Sequence, residues 1–285
     1  MSLTVTLNVF SGRPNPTWVV PDEAAAELRD RVSRIATLSN LKPPSVLGGL
    51  GYRGFSVSHD HDAELTLNLH AGVVDRGGPS PTLIADDREI ERFLLSTAGG
   101  AIADEVRAHV EQSLAIPISD IVGRVPYLPP SHCPVCHAAD APAYNPGMWN
   151  TPAVQPHNNC YNYANNRITN TFAQPGRATG HPIKTLSCPG TVPSAHSDGL
   201  VGVANFNAPL AHGAGWYVAV VIWPGVDYHW YRQDKVGCWS HKPGQTAARN
   251  VDNSGHAISD PKTADRGPYT SFCTYMVTKS TVHIN

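Results

Sequence analysis

The chain has 285 residues, of which 41% are hydrophobic and 15% charged, and its formal net charge is −2. This length supports a sizeable core, and the charge balance does not favour nucleic acid as a partner. No apolar run approaches the 18 residues of a membrane-spanning helix. The first residues lack the charged and then apolar pattern of a signal peptide, which predicts a cytoplasmic protein or one exported without a recognisable cleaved signal.

Charge and cysteine content change along the chain. Residues 1–125 carry 11 Lys and Arg against 16 Asp and Glu, whereas residues 126–285 carry 10 against 7. All six cysteines lie in the second part, and no glutamate follows Glu111. We therefore predict two domains, 1–125 and 126–285, which join in the proline-rich segment 126–130.

The first domain is predicted to be a small α+β unit. Alternating apolar residues indicate strands near 3–9, 18–20, 52–57 and 63–69. A helix is expected to open at Pro21, with Asp22 as its N-cap. A capping box at 86–89 precedes a helical pattern that extends to about residue 114 and is interrupted at Gly99 and Gly100. This glycine pair lacks the context of a phosphate-binding loop, so nothing here indicates nucleotide binding.

A Cys-x₂-Cys segment begins the second domain. Cys133 and Cys136 are flanked by His132 and His137, and thiolate and imidazole groups are the ligands of tetrahedral zinc. The chain has no second pair at the usual distance, so a disulfide within the segment and a redox pair are alternatives. The sequence predicts a structural zinc knuckle on these four residues or a cysteine loop without metal.

Cys160 is the first candidate for chemistry. It follows Pro156 and the pair Asn158 and Asn159, which are turn and cap residues, and helical spacing begins directly after it. The positive end of a helix dipole favours a thiolate, which is the nucleophilic form of cysteine. The alternative is a buried, inert cysteine, because free cysteine is among the most buried residue types.

A β-hairpin carries two histidines. The apolar run 215–223 predicts a central strand. The alternation over 226–233 predicts a second strand, with the His229 and Trp230 side chains on opposite faces. A turn at 234–237 would return the chain through 238–242, pairing residues whose numbers sum to roughly 470–472. His229 and His241 should therefore lie on adjacent strands, within reach of each other.

These residues fit the roles of nucleophilic catalysis. A thiol needs a base, and the base needs an orienting group. Cys160, His229 and His241 supply these roles in chain order, and Asp260, Asp252 and Asn250 are the other candidates for the third role.

This arrangement resembles the papain-like superfamily of cysteine peptidases and amidases, and the interval of 12 residues between the histidines is similar to the NlpC/P60 branch. The resemblance implies an antiparallel sheet packed on the helix that bears the nucleophile. It also implies cleavage of a peptide or other amide bond through a thioester, or acyl transfer to an amine, with no cofactor. By position, Asn158, Asn159 and Gln155 would contact the substrate, and Trp230 would line its cleft. The alternative is a non-enzymatic binding module that zinc holds at Cys133 and Cys136.

Overall fold

The computed structural model describes residues 3–35, 49–59, 66–75, 83–84, 88–117 and 133–285. The chain divides into two compact units. Unit 1 comprises Met1–Val9, Asn15–Leu47 and Gly51–Val125, and unit 2 comprises Phe10–Pro14, Gly48–Leu50 and Pro126–Asn285. Helices and antiparallel sheets together make an α+β protein, which confirms the predicted fold class.

Unit 1 is built on an antiparallel sheet with the strand order β2-β1-β3-β4-β5-β6. Its strands are β1 (Leu3–Leu7), β2 (Thr17–Val20), β3 (Phe55–His59), β4 (Leu67–His70), β5 (Val73–Asp75) and β6 (Leu83–Ile84). Alternate residues of β1 are buried, namely Leu3, Val5 and Leu7. This is the pattern of a sheet with one face on the core.

In the described part of unit 1 the helices are α1 (Asp22–Ser33), α2 (Glu89–Ser96) and α3 (Asp104–Leu114). Pro21 is the N-cap of α1 and Asp22 is its first residue, so the prediction of Asp22 as the cap is wrong by one position. Arg88 is the N-cap of α2 in a left-handed conformation, without a side-chain cap hydrogen bond, and Glu89 is the first residue of the helix, so the predicted capping box is not formed by these two residues. Residues 86 and 87 of the box lie outside the described residues. Gly99 begins a short 3₁₀ turn that separates α2 from α3, as the glycine pair predicts.

Unit 2 contains a second antiparallel sheet, with the order β10-β9-β8-β11-β7. Its strands are β7 (Val201–Val203), β8 (Trp216–Trp223), β9 (Asp227–Gln233), β10 (Trp239–His241) and β11 (Ser271–Thr278). Strand β8 is buried at every position and pairs with both β9 and β11, which confirms the predicted central strand. Gln233 pairs with Trp239 and Tyr231 with His241, so the predicted hairpin register is also confirmed.

The helices described beside this sheet are α4 (Pro146–Trp149), α5 (Cys160–Ala164) and α6 (Cys188–Ser197). Helix α5 packs against β9, where the Tyr161 and Trp230 rings lie 5.1 Å apart. Within the described ranges, no helix is long and apolar enough to cross a membrane. The sheet and α5 together bring the sequence-predicted residues into one region.

Candidate functional site

Asn159 fixes the position of Cys160. Its side-chain oxygen accepts hydrogen bonds from the backbone N–H groups of Tyr161 at 3.0 Å and Asn162 at 3.1 Å. The Asn162 side chain accepts in return from the Asn159 N–H at 3.2 Å, which completes a capping box. Cys160 is therefore the first residue of α5, as the sequence predicts.

The Cys160 thiol is fully buried. Burial raises the pKa of this thiol well above its usual value, and the nearby Asp227 carboxylate raises it further. The Trp230 backbone N–H and the Lys242 ammonium act in the opposite direction, but they do not outweigh burial. The expectation of a thiolate is wrong, because the desolvation of a buried charge exceeds what a helix of five residues offers.

The two histidines form a direct pair. His241 Nδ1 lies 2.9 Å from His229 Nε2, and His241 Nε2 lies 3.1 Å from the Val251 carbonyl oxygen. Because a carbonyl only accepts, a neutral His241 donates from Nε2 and accepts at Nδ1 from His229. The Tyr231 ring stacks on His241 with centroids 5.0 Å apart. The hairpin thus holds both imidazoles in one orientation.

Asp227 is a second buried polar centre, which the sequence analysis did not identify. Its carboxylate accepts from the backbone N–H groups of Ser11 at 2.5 Å, Gly12 at 3.2 Å and Arg13 at 3.2 Å. The Tyr269 hydroxyl donates to it at 2.6 Å. Burial raises the pKa of this carboxyl, although hydrogen bonds from the Tyr269 hydroxyl and from the Ser11, Tyr228 and Gly12 backbones lower it. Asp227 anchors the 10–14 segment within unit 2.

Two cations are also buried in this region, and no local pattern in the sequence predicts them. The Arg232 guanidinium donates to Asp234 Oδ1 at 2.9 Å and lies 4.2 Å from the Tyr163 ring centroid. Lys242 Nζ donates to three carbonyl oxygens, those of Gln155 at 2.6 Å, Asn158 at 2.5 Å and Gly244 at 2.7 Å. The sequence shows that Arg232 and Asp234 are two residues apart, but this spacing does not reveal that both are buried. Two of the three carbonyl groups that surround Lys242 come from a distant segment, so the sequence does not reveal them either.

The predicted substrate-binding residues are built into the fold. Asn158 and Asn159 are fully buried, and the Asn159 NH₂ group donates to the Gly12 and Ala173 carbonyls at 2.9 and 2.8 Å. The Asn158 oxygen accepts from two backbone N–H groups of the 169–170 turn. Trp230 is fully buried against Tyr161, and Gln155 contributes its carbonyl to Lys242. In this structure these groups bind other parts of the chain.

The candidates for the third catalytic role occupy turns. Asp260 accepts from the Tyr275 hydroxyl at 2.6 Å and from the Lys262 N–H at 2.8 Å. Asp252 accepts from the N–H groups of Ser254 at 3.0 Å and His256 at 2.9 Å. His241 lies within hydrogen-bond distance of His229, whose ring also contacts Tyr231 and Tyr269.

The zinc knuckle is replaced by disulfides. Cys133 is bonded to Cys238, and Cys188 to Cys273. The Cys133 sulfur is therefore not a thiolate ligand, and the prediction of zinc held by Cys133 and Cys136 is corrected. His137 is exposed, and His132 lies outside the described residues. In the part of the chain that the structure describes, no group of three or more His, Cys, Asp or Glu side chains could hold a metal ion.

The comparisons with known proteins give a relative. Over 130 residues the chain is 54% identical to "Insoluble matrix shell protein 1" of Ruditapes philippinarum, a match that covers 45% of this chain and 84% of the relative. The chain belongs to the family of this protein. No family model matches the chain, and no solved structure matches it. The relative is named as an insoluble matrix shell protein and not as a peptidase, so the classification of this chain as a soluble cysteine peptidase or amidase is corrected.

Proposed function

We propose that this chain is a non-enzymatic structural component of an extracellular matrix. The observation that carries the proposal is its 54% identity to an insoluble matrix shell protein, 84% of which the match covers. Like the zinc-held binding module that the sequence offers as an alternative, the proposed component is non-enzymatic, but it is a structural component and disulfides take the place of zinc.

The disulfides support export from the cell. Cys133–Cys238 and Cys188–Cys273 span 105 and 85 residues of unit 2. Disulfides of this kind persist in oxidising compartments and are rare in the cytosol. An exported location is therefore favoured over the cytoplasmic one.

The state of the reactive side chains also supports a structural role. Cys160, His229 and His241 are completely buried, and so are Arg232 and Lys242. The hydrogen bonds of His229, His241, Arg232 and Lys242 connect α5, β9, β10 and the segments beside them within unit 2. Networks of satisfied buried polar groups make a fold rigid and unique, which suits a structural component.

The test is to follow the native protein with a specific antibody through extraction of its source tissue. The tissue is separated into cytosolic, soluble extracellular and insoluble extracellular fractions, with thiols blocked before lysis. We expect the chain in the insoluble extracellular fraction, with Cys133–Cys238 and Cys188–Cys273 oxidised. Recovery from the cytosol, with all six cysteines reduced, contradicts the proposal.

A further inference from the structure

A small cavity in unit 2 lies outside the region of Cys160 and the histidine pair. Its volume is about 300 Å³, near the lower end of the range for small-molecule sites. It is lined by Pro14, Pro156, His157, Asn170, Thr171, Phe172 and Gln245. All seven residues belong to the same compact unit.

The lining is more apolar than polar, and it contains no Lys, Arg, Asp or Glu. Asn170 and Gln245 contribute side-chain amides and Thr171 a hydroxyl, whereas Phe172 and the two prolines contribute apolar surface. An amide both donates and accepts hydrogen bonds in a fixed plane. Phosphates and carboxylates are normally bound by cationic groups, so this lining does not favour an anionic ligand.

Hydrogen bonds hold the amide side of the cavity in place. Asn158 Nδ2 donates to the Asn170 side-chain oxygen at 2.6 Å, which leaves the Asn170 NH₂ group as a donor. The Asn158 oxygen accepts from the N–H groups of Thr169 and Asn170, both at 3.1 Å. The buried Asn158 therefore fixes the 169–170 turn before any ligand arrives.

The backbone of Phe172 has an energetically costly conformation. Phe172 has φ 55° and Asn170 has φ 56°, both in the left-handed region that a bulky residue such as Phe rarely adopts. The Phe172 N–H donates to the His157 carbonyl at 2.9 Å, and Arg177 donates to the Thr171 carbonyl at 2.8 Å. Such conformations persist where the surroundings enforce them, and they cluster at ligand sites.

Lys242 fixes a second part of the cavity wall. Its ammonium group joins the Gln155 and Asn158 carbonyls to that of Gly244, the residue before Gln245. The segment with Pro156 and His157 is thereby tied to the segment with Gln245. The cavity is preorganised on both sides, which lowers the entropic cost of binding.

We propose that this cavity binds a neutral saccharide residue. The apolar face of a sugar ring would lie on Phe172, and its hydroxyl groups would exchange hydrogen bonds with Asn170, Thr171 and Gln245. Such hydroxyls donate and accept at once, which matches amide side chains better than an apolar ligand does. At ~30 Å³ for each water molecule, the cavity holds the volume of about ten waters, which is room for one sugar ring. The proposal does not depend on the matrix role.

The test is to titrate the full, oxidised chain with neutral oligosaccharides. Calorimetry measures the affinity, and NMR follows the backbone amide signals of residues 157–172 and 245. The probes are gluco- and manno-oligosaccharides, each with and without N-acetyl groups. A sulfated oligosaccharide and a neutral peptide are tested alongside them. We expect at least one neutral saccharide to bind and to shift these amides. The proposal is overturned if none does, or if only the peptide or the sulfated probe binds there.

Variants separate the cavity from the rest of the surface. Phe172→Ala should weaken binding by about tenfold or more, because the stacking surface is lost, whereas Phe172→Tyr should retain it. Gln245→Leu keeps the size of the side chain and removes its hydrogen bonds, so it tests the site even where Phe172→Ala fails to fold. Val236→Ala, at a residue 68% exposed and not in the lining, is the control. If both Phe172→Ala and Gln245→Leu bind the saccharide as tightly as the wild type does, the proposal is contradicted.

Discussion

Cys160 and Cys136 are the free cysteines of the described chain, and they differ in exposure. Cys160 is completely buried and burial raises the pKa of its thiol, whereas Cys136 is half-buried. Alkylation requires an accessible thiolate. We therefore expect iodoacetamide at neutral pH to modify Cys136 in the native protein and Cys160 only after unfolding.

Peptide mapping by mass spectrometry measures both rates in one sample, and Cys136→Ser confirms the assignment. The opposite order, with Cys160 modified first in the folded protein, would show a reactive thiol. That outcome would contradict the non-enzymatic proposal and would favour a thiol-dependent reaction instead.

Asp227 allows a second prediction for a single residue. Its two oxygens accept from three backbone N–H groups and from Tyr269. In the Asp227→Asn variant, the side-chain NH₂ group would face hydrogen-bond donors and could not accept from them, so buried backbone N–H groups would be left without an acceptor. We expect the free energy of unfolding of unit 2 to fall by about 2–4 kcal/mol, measured by urea denaturation. Tyr269→Phe, which removes one donor, should cost about 1 kcal/mol. An Asp227→Asn protein as stable as the wild type contradicts this role.

Among the elements, β8, β9 and β10 were predictable and the cysteine pairing was not. The apolar run of β8 and the alternation of β9 are local patterns, and the turn between Asp234 and Cys238 sets the register of the hairpin. The partner of Cys133 lies 105 residues away, so it depends on the tertiary fold. The same reason explains the error about the Cys160 thiol, since the start of a helix is visible in a sequence but the burial around it is not.

Helix α6 depends on tertiary support. It contains Pro193 in its interior and Gly190 near its start, which lowers its intrinsic helix propensity. Its first residue, Cys188, is bonded to Cys273 of β11 across 85 residues. Replacing both cysteines by alanine should lower the stability of unit 2 by about 2–5 kcal/mol, because the cross-link restricts the unfolded chain.

Hydrogen exchange should locate part of this loss in α6. The expected pattern is faster exchange of amides within Cys188–Ser197 than in β8. Cys136→Ser is the matched control, because it removes a sulfur and leaves both disulfides intact. Unchanged exchange in α6, together with unchanged stability, would show that the disulfide does not support the helix.

In the whole molecule, His109 of unit 1 and three buried carboxyl groups of unit 2 respond to acid in opposite directions. In unit 1, burial lowers the pKa of His109 to about 4, and its Nε2 accepts the Tyr52 N–H at 3.2 Å. In unit 2, burial raises the pKa values of Asp198, Asp227 and Asp234. A histidine with a lowered pKa contributes stability above its unfolded pKa of 6.5, and this is lost as the pH falls towards 4. A carboxyl with a raised pKa has the opposite effect on the free energy of unfolding. As the pH falls, the folded state binds the proton before the unfolded state does, so the folded state gains stability.

Unit 1 should therefore lose more stability than unit 2 between pH 7 and pH 5. For His109 alone the linkage gives a loss of roughly 2 kcal/mol at pH 5, as an upper bound for a partly exposed ring. Hydrogen exchange of peptides from each unit, corrected for the intrinsic pH dependence of exchange, measures the two responses in one chain. His109→Gln keeps an acceptor beside Tyr52 but does not titrate, so it should remove most of the difference. If the variant shows the same pH dependence in unit 1 as the wild type, His109 is not the cause, and another group must titrate there.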